Sequence, residues 1–376
     1  MDASCRARAI ALYLPQFHPI PENDAWWGRG FTEWTNTAKA RPLFRGHYQP
    51  HVPADLGFYD LRVAESRTDQ AIMAREHGVE AFCYYHYWFA GRRILERPFT
   101  EVLASGEPNF PFCLCWANES WTGVWHGSPG TTLIEQTYPG EEDHRRHFES
   151  LLPAFLDPRY VRTDGHPVFL VYLPRQLPDT GKWADLWRSL AARAGLPGLH
   201  LVAVNHTLVP EPIPDGFDAR MLQRLPTDRL WYPWSSPFRK VYRRVSKAFG
   251  RPAIYAYRDA VRTILPDRLP DDRSYPMVLP NWDNSPRCGA RGITLHGSTP
   301  ELFRAHLRQG LDVVQTLPAE RRFLFVKSWN EWAEGNHLEP DVRFGRGYLD
   351  VMRDELGVTS AGCNVPPSAT TRSNRL

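Results

Sequence analysis

The chain has 376 residues, a net charge of +3, 42% hydrophobic and 23% charged residues, enough for a sizeable core in one large domain or two ordinary ones. So small a charge, with most basic residues being arginines scattered along the chain, argues against nucleic acid as the partner. No apolar run could span a bilayer, the run Ala9–Leu14 is too short for the apolar core of a signal peptide, and a cytoplasmic location is expected.

Strand-like runs begin at Ala9–Phe17. An insertion at 18–59 follows, containing Trp26-Trp27-Gly28-Arg29-Gly30-Phe31-Thr32-Glu33-Trp34. Its Gly-Arg-Gly is too short and misplaced for a phosphate-binding loop, so its indoles, Trp34 among them, read as stacking surfaces. Leu61–His77 has Ala64, Ala71 and Ala74 near helical spacing and Gly78 as a left-handed stop. Further strands are read at Val79–Trp88 and Phe110–Asn118. His144–Phe155 is a helix that Pro153 bends or ends. Pro167–Pro174, Leu199–Asn205 and Asp218–Pro226 come next, the last interrupted by Arg220, Gln223 and Arg224. A second insertion, 227–274, precedes Tyr275–Asn284. Thr299 then caps, and Pro300 opens, a helix with Phe303, Leu307, Leu311 and Val314 on one stripe. Phe323–Trp332 is the final run, and residues 359–376, rich in Pro, Ser, Thr and Asn, are expected to be a disordered tail. Nearly continuous apolar runs alternating with helices predict the α/β class: a single (β/α)8 TIM barrel over residues 1–358, with long inserted βα loops.

In such a barrel, functional residues gather where strands end. Those ends supply Gln16 and His18; His86 and Tyr87; Trp116, Asn118 and Glu119; Tyr172; Trp282 and Asp283; and finally Trp329, Asn330, Glu331 and Glu334. The last two are carboxylates three residues apart, set between indoles. Paired acids beside flat aromatic faces suit glycosidic-bond chemistry, in which one acid serves the leaving oxygen and the other assists attack. The competing reading of the pair is a helix N-terminus favoured by its dipole. Glu119 reads equally as a third site acid or an Arg-paired structural carboxylate, and Asp283 as a ligand of a sugar hydroxyl or a brace for Arg287. The remaining residues of the set offer hydrogen-bonding groups and stacking faces for a sugar. His47 and His51 stand four apart, but Pro50 between them opposes one helix presenting both to a metal. The six cysteines have no paired metal spacing, and Cys113 and Cys115 alternate along one strand. The expected partner is a glycan or glycoconjugate, with no metal and no cofactor; protein partners are not legible.

Certain motifs carry a resemblance: Tyr-Leu-Pro-Gln-Phe-His at 13–18, the Trp-rich 26–34, His-Tyr-Gln-Pro at 47–50, Cys-Tyr-Tyr-His-Tyr-Trp at 83–88, Cys-Trp-Ala-Asn-Glu at 115–119 and Trp-Asn-Glu-Trp-Ala-Glu-Gly at 329–335. The chain resembles WbsX-type proteins of bacterial surface-polysaccharide loci, which have a domain similar to glycoside hydrolase family 99. The resemblance implies a (β/α)8 barrel and retaining, endo-mannosidase-like chemistry in O-antigen or lipopolysaccharide-type metabolism. It implies that Glu331 is a base drawing the proton from the sugar's 2-hydroxyl, which then attacks the anomeric carbon to form an epoxide-like intermediate. Glu334 would then be the acid for the leaving oxygen and afterwards the base for the incoming water or sugar. WbsX-type proteins are commonly labelled glycosyltransferases, so transfer and hydrolysis both stay open. A nucleotide-sugar glycosyltransferase and a non-catalytic glycan-binding module are the alternatives; an Asp-x-Asp motif and a phosphate-cradling Gly loop are both lacking.

Overall fold

Eight apolar runs become the eight strands of a closed parallel barrel. The computed structural model describes residues 6–123, 132–207, 211–224 and 237–358. The strands are β1 (Arg8–Tyr13), β2 (Val79–Phe89), β3 (Phe112–Trp116), β4 (His166–Val171), β5 (His200–Asn205), β6 (Ala219–Leu222), β7 (Ser274–Val278) and β8 (Phe323–Val326). Each pairs in parallel with its neighbours in sequence order, and β1 closes the ring by pairing with both β2 (Leu12 opposite Cys83) and β8 (Ala9 opposite Leu324). Closure leaves no edge of the ring unpaired. Side chains such as Ile10, Cys83, Val168, Leu201, Met221, Met277 and Phe325 are wholly buried, which is why the strands read as apolar runs rather than as alternation.

Most strands stop before the runs do. β8 ends at Val326 and β7 at Val278, because the aromatic residues beyond them leave the ladder to line or support the rim. Arg220, which interrupts the sixth run, is buried in β6 and satisfied: its guanidinium donates to Ser274 Oγ at 2.8 Å and to the Glu211 carbonyl at 2.6 Å, and pairs with Asp271. Gln223 and Arg224 lie past the strand end.

The helix Ala64–Glu76 ends at Gly78, whose φ is +83°; a Cβ there would sit 2.8 Å from Val358 and 2.9 Å from Leu356, so both conformation and space require glycine. The helix Pro300–Val314 is capped by Thr299, which accepts from the Leu302 N–H at 3.3 Å. Glu141–Leu156 continues through Pro153 to its end. The first insertion folds into two short helices, Pro21–Trp27 and Glu33–Lys39. The second contains helices Pro237–Ala248 and Tyr257–Ile264 and a strand, Ala253–Ala256, that pairs with Ile293–His296; its residues 227–236 lie outside the described residues, as does the 359–376 tail. Among the described residues no helix is long and apolar enough to cross a membrane.

Candidate active site

Beyond Val326 the chain turns sharply. The Lys327–Ser328 peptide is cis, and Asn330–Glu331 then pairs antiparallel with Asn336–His337 around the single turn Trp332–Glu334. This small hairpin brings Glu331 and Glu334 to one side. Ser328 Oγ accepts from the Glu331 N–H at 3.0 Å and donates to the Asn336 carbonyl at 2.8 Å. The Asn330 amide clasps Leu14 at the end of β1, accepting from its N–H at 2.7 Å and donating to its carbonyl at 3.0 Å. Trp332 Nε1 donates to Glu339 at 2.6 Å, and Gln70 and Tyr59 donate to the same buried carboxylate.

Gly335 closes the hairpin at φ +57°, where an added Cβ would lie 3.0 Å from Asp283 Cβ and 3.2 Å from its backbone nitrogen. Neither neighbour is a yielding side-chain tip. Gly335→Ala is therefore expected to destabilise the fold by about 1–3 kcal/mol in urea denaturation.

Three carboxylates and two cations are buried together here. Lys327 Nζ donates to Glu331 Oε2 at 2.5 Å, lies 3.8 Å from Glu334 Oε2 and reaches the Tyr85 hydroxyl at 3.3 Å. Arg287 bridges Glu334 at 2.7 Å and Glu33 at 2.6 Å. Asn336 Nδ2 donates to Glu331 Oε2 at 3.2 Å, and the Ala333 N–H to Glu33 Oε1 at 3.0 Å. Lys327, Glu33, Glu331 and Glu334 are each at most 5% exposed, so the group is neutral when it holds one proton. Burial pushes the Glu334 carboxyl up to about 7, Glu331 adds to the rise, and Arg287 and Lys327 oppose it. Burial also pushes Glu33 up, against Arg287. Glu334, unlike Glu33, opens onto the pocket.

That pocket encloses about 880 Å³, its open mouth included, on the C-terminal rim of the barrel. Of the sequence-predicted residues it brings together Gln16, Tyr87, Glu119, Tyr172, Trp282, Glu331 and Glu334. Glu119 is lifted by burial to about 7, against the pull of Lys327. The others are not at the pocket wall. His18 points at the Pro15 carbonyl, 3.1 Å away. Trp34 packs on Phe17, Tyr59 and Trp332 and donates to the Tyr59 carbonyl. His86 lies 2.8 Å from His147, with Trp116 edge-on to the same ring at 4.6 Å. Asn118 joins the ends of β3 and β4, donating to the Leu173 carbonyl and accepting from the Leu173 N–H. Trp329 is fully buried against Phe82, and Asn330 makes the clasp already described.

Asp283 is saturated by protein: His47 Nε2 at 2.6 Å, Gln49 Nε2 at 2.8 Å, Thr294 Oγ1 at 2.9 Å and the Ser285 N–H at 3.0 Å. It braces the Arg287 turn and has no open valence for a sugar. Burial alone would raise its carboxyl, but these donors hold it below the ordinary range.

Sequence reasoning missed Lys327, Arg287 as a site residue, Tyr85 and Glu33. Lys327 carried a signal, a lone cation directly after Phe-Leu-Phe-Val; Glu33 carried none beyond its place in the Trp-rich motif.

Pro50 does separate His47 from His51, and the two pair elsewhere. Among the described residues one group has metal-ligand proximity: His51, His337 and Asp341, with ligand atoms within 4.8 Å of one another. The two imidazoles already hydrogen-bond at 2.8 Å, His337 Nδ1 is 2.8 Å from the Glu339 carbonyl, and the His337 ring stacks on Trp332 at 3.8 Å. These contacts brace the hairpin of Asn330–Glu331 and Asn336–His337 from behind.

A model of the family described as glycosyltransferase WbsX matches residues 9–352. Two proteins named "Uncharacterized protein WxcX", from Xanthomonas campestris pv. campestris strains B100 and ATCC 33913, are each 42% identical over 353 residues, covering 93% of this chain and 50% of theirs. The chain thus spans about half the length of these curated relatives. Among solved structures, the GH99 endo-alpha-mannosidase from Bacteroides thetaiotaomicron in complex with bis-tris propane aligns with a TM-score of 0.52 at 14% identity, over 93% of this chain and 96% of that one. A glycoside hydrolase-like protein aligns with a TM-score of 0.56 at 14% identity, over 96% of both chains. At such identities the likeness establishes the barrel.

Proposed function

The chain belongs to the glycosyltransferase WbsX family, and from that premise we propose that it is a carbohydrate-active enzyme of bacterial surface-polysaccharide metabolism that cleaves or transfers glycosyl units by a retaining, two-glutamate mechanism. The observation that supports this most is the lodging of Glu331 and Glu334 in one aromatic-walled pocket under a shared ammonium. One Nζ lies 2.5 Å from Glu331 Oε2 and 3.8 Å from Glu334 Oε2, which keeps those two oxygens closer than the roughly 6.5–9.5 Å separation of inverting carboxylate pairs.

The roles divide by environment. Glu334, raised to about 7, carries the proton that the leaving oxygen takes. Glu331, with Lys327 and Asn336 both donating to Oε2, is the base that draws the proton from the attacking hydroxyl. The N–H groups directed at that oxygen occupy the lone pairs a proton would take, which suits an acceptor rather than an acid. Trp27, Trp121 and Trp282 on the pocket wall offer faces to the sugar's C–H groups. Whether the second substrate is water or a sugar depends on what fills the mouth when the intermediate forms.

Screening the purified chain against mannose- and rhamnose-containing oligosaccharides, with and without nucleotide sugars, tests this reading. Turnover should need no nucleotide sugar, and Glu331→Gln should abolish it with the fold intact. Nucleotide-sugar turnover that survives Glu334→Gln would favour the glycosyltransferase alternative; binding without turnover on any glycan would favour a binding module. A pH profile adds a further expectation. Glu334 must hold its proton, so activity should fall as pH rises through about 7. Glu119→Gln, which removes the other pocket carboxyl near 7, should leave that alkaline limb where it is.

A further inference from the structure

The small net charge hides a local imbalance. Between Asp228 and Asp259 the sequence has eight lysines and arginines and no acidic residue, so the rest of the chain is net negative against a total of +3. The helix Pro237–Ala248 lies within this stretch. On it and just past its end, Val241, Val245 and Phe249 recur at i, i+4 and i+8, one stripe of a helix, and they are 54%, 48% and 75% exposed. Arg244, Lys247 and Arg251 beside them are exposed too, whereas Ser246 is buried. A helix that merely covered a barrel would turn the valines and phenylalanine inward.

We propose that this helix is a docking surface for an anionic lipid bilayer. An apolar stripe with exposed cations beside it and no acidic residue on the helix is the composition of a helix lying in a membrane interface, where acyl chains receive the stripe and acidic headgroups receive the cations. A nucleic acid would use the cations and leave the stripe in water. A second copy of the chain would bring two strongly basic faces together. The helix follows the C-terminal end of β6. It touches the Gly289–Arg291 turn, next to Arg287, and the strand Ala253–Ala256, where Tyr242 donates to the Ile254 carbonyl at 3.3 Å. The surface therefore belongs to the same face of the barrel as the pocket, and docking would hold the pocket's rim close to the lipid.

Co-sedimentation of the full chain with vesicles tests this. Binding is expected to vesicles containing about one third phosphatidylglycerol at roughly 0.1 M salt, much less to pure phosphatidylcholine, and less again at roughly 0.5 M salt. Val245→Glu with Phe249→Glu, and separately Arg244→Ala with Lys247→Ala, should each lower partitioning about tenfold or more. Leu156→Glu, at a residue 52% exposed near the opposite end of the barrel, should not. Failure to bind anionic vesicles would overturn the proposal, as would unchanged binding by both double variants. Retention on nucleic acid, or a dimer abolished by Phe249→Glu, in either case without vesicle binding, would overturn it in favour of that other occupant. Circular dichroism on each variant separates lost docking from lost folding.

Discussion

Glu334→Gln is expected to lower turnover of a natural glycan by about 10²–10⁴-fold. The amide keeps the side chain's size and can still accept from Arg287, which meets Glu334 Oε1 at 2.7 Å, but it has no proton to give. Arg287 also retains Glu33 at 2.6 Å, so it is not left as an unpaired buried cation, and stability should change by no more than about 1 kcal/mol. The loss should be smaller on an aryl glycoside whose leaving group departs without protonation. That contrast distinguishes an acid from a structural carboxylate, whose removal would slow both substrates alike. The alkaline limb near pH 7 should vanish with the group that causes it.

Lys327→Met is expected to cost about 3–5 kcal/mol in denaturant unfolding. Nζ is the partner of Glu331 at 2.5 Å and stands 3.8 Å from Glu334; without it two buried carboxyls must protonate or remain uncompensated. The pH dependence follows from linkage. A carboxyl whose folded value is raised from 4.5 to about 7 leaves the folded state holding more protons than the unfolded one, so its contribution to stability is fully present below 4.5 and is lost as pH rises through about 7. Lys327 lowers both Glu334 and Glu119, so its removal drives both higher and widens that window. The variant's deficit in urea should thus be larger at about pH 8 than at about pH 5, and any residual activity should keep its alkaline limb at a higher pH than wild type. A deficit independent of pH would mean that Lys327 acts by packing alone, through the Tyr85 and Trp282 rings that lie 5.6 Å from Nζ.

The barrel was legible because buried parallel strands leave a coarse trace: Ala9–Leu12, Cys83, Val168–Val171 and Phe323–Val326 are apolar without alternation, whichever side each residue faces. The strand ends were less legible. Trp329 and Trp116 are as apolar as a strand, yet they serve as packing past or at the end of the ladder. The carboxylate pair could be read because Glu331 and Glu334 sit close in sequence. The cluster that gives them different environments could not, since Glu33, Arg287 and Lys327 come from three distant segments and meet only when the barrel closes. A polar residue near a rim also has two possible duties that its identity does not separate. Asn330 and Asp283 spend their hydrogen bonds on Leu14, His47 and Gln49, while Gln16 and Tyr172 line the pocket.

Glu331 and Glu334, acting together on one glycosidic bond, should retain the configuration of the anomeric carbon. Proton NMR of the anomeric signal early in the reaction, on whichever oligosaccharide the wild-type chain turns over, tests it most directly. The first product is expected to have the substrate's own anomeric configuration, with no product signal from Glu331→Gln or Glu334→Gln. An inverted first product, or wild-type rates in both variants, would contradict it.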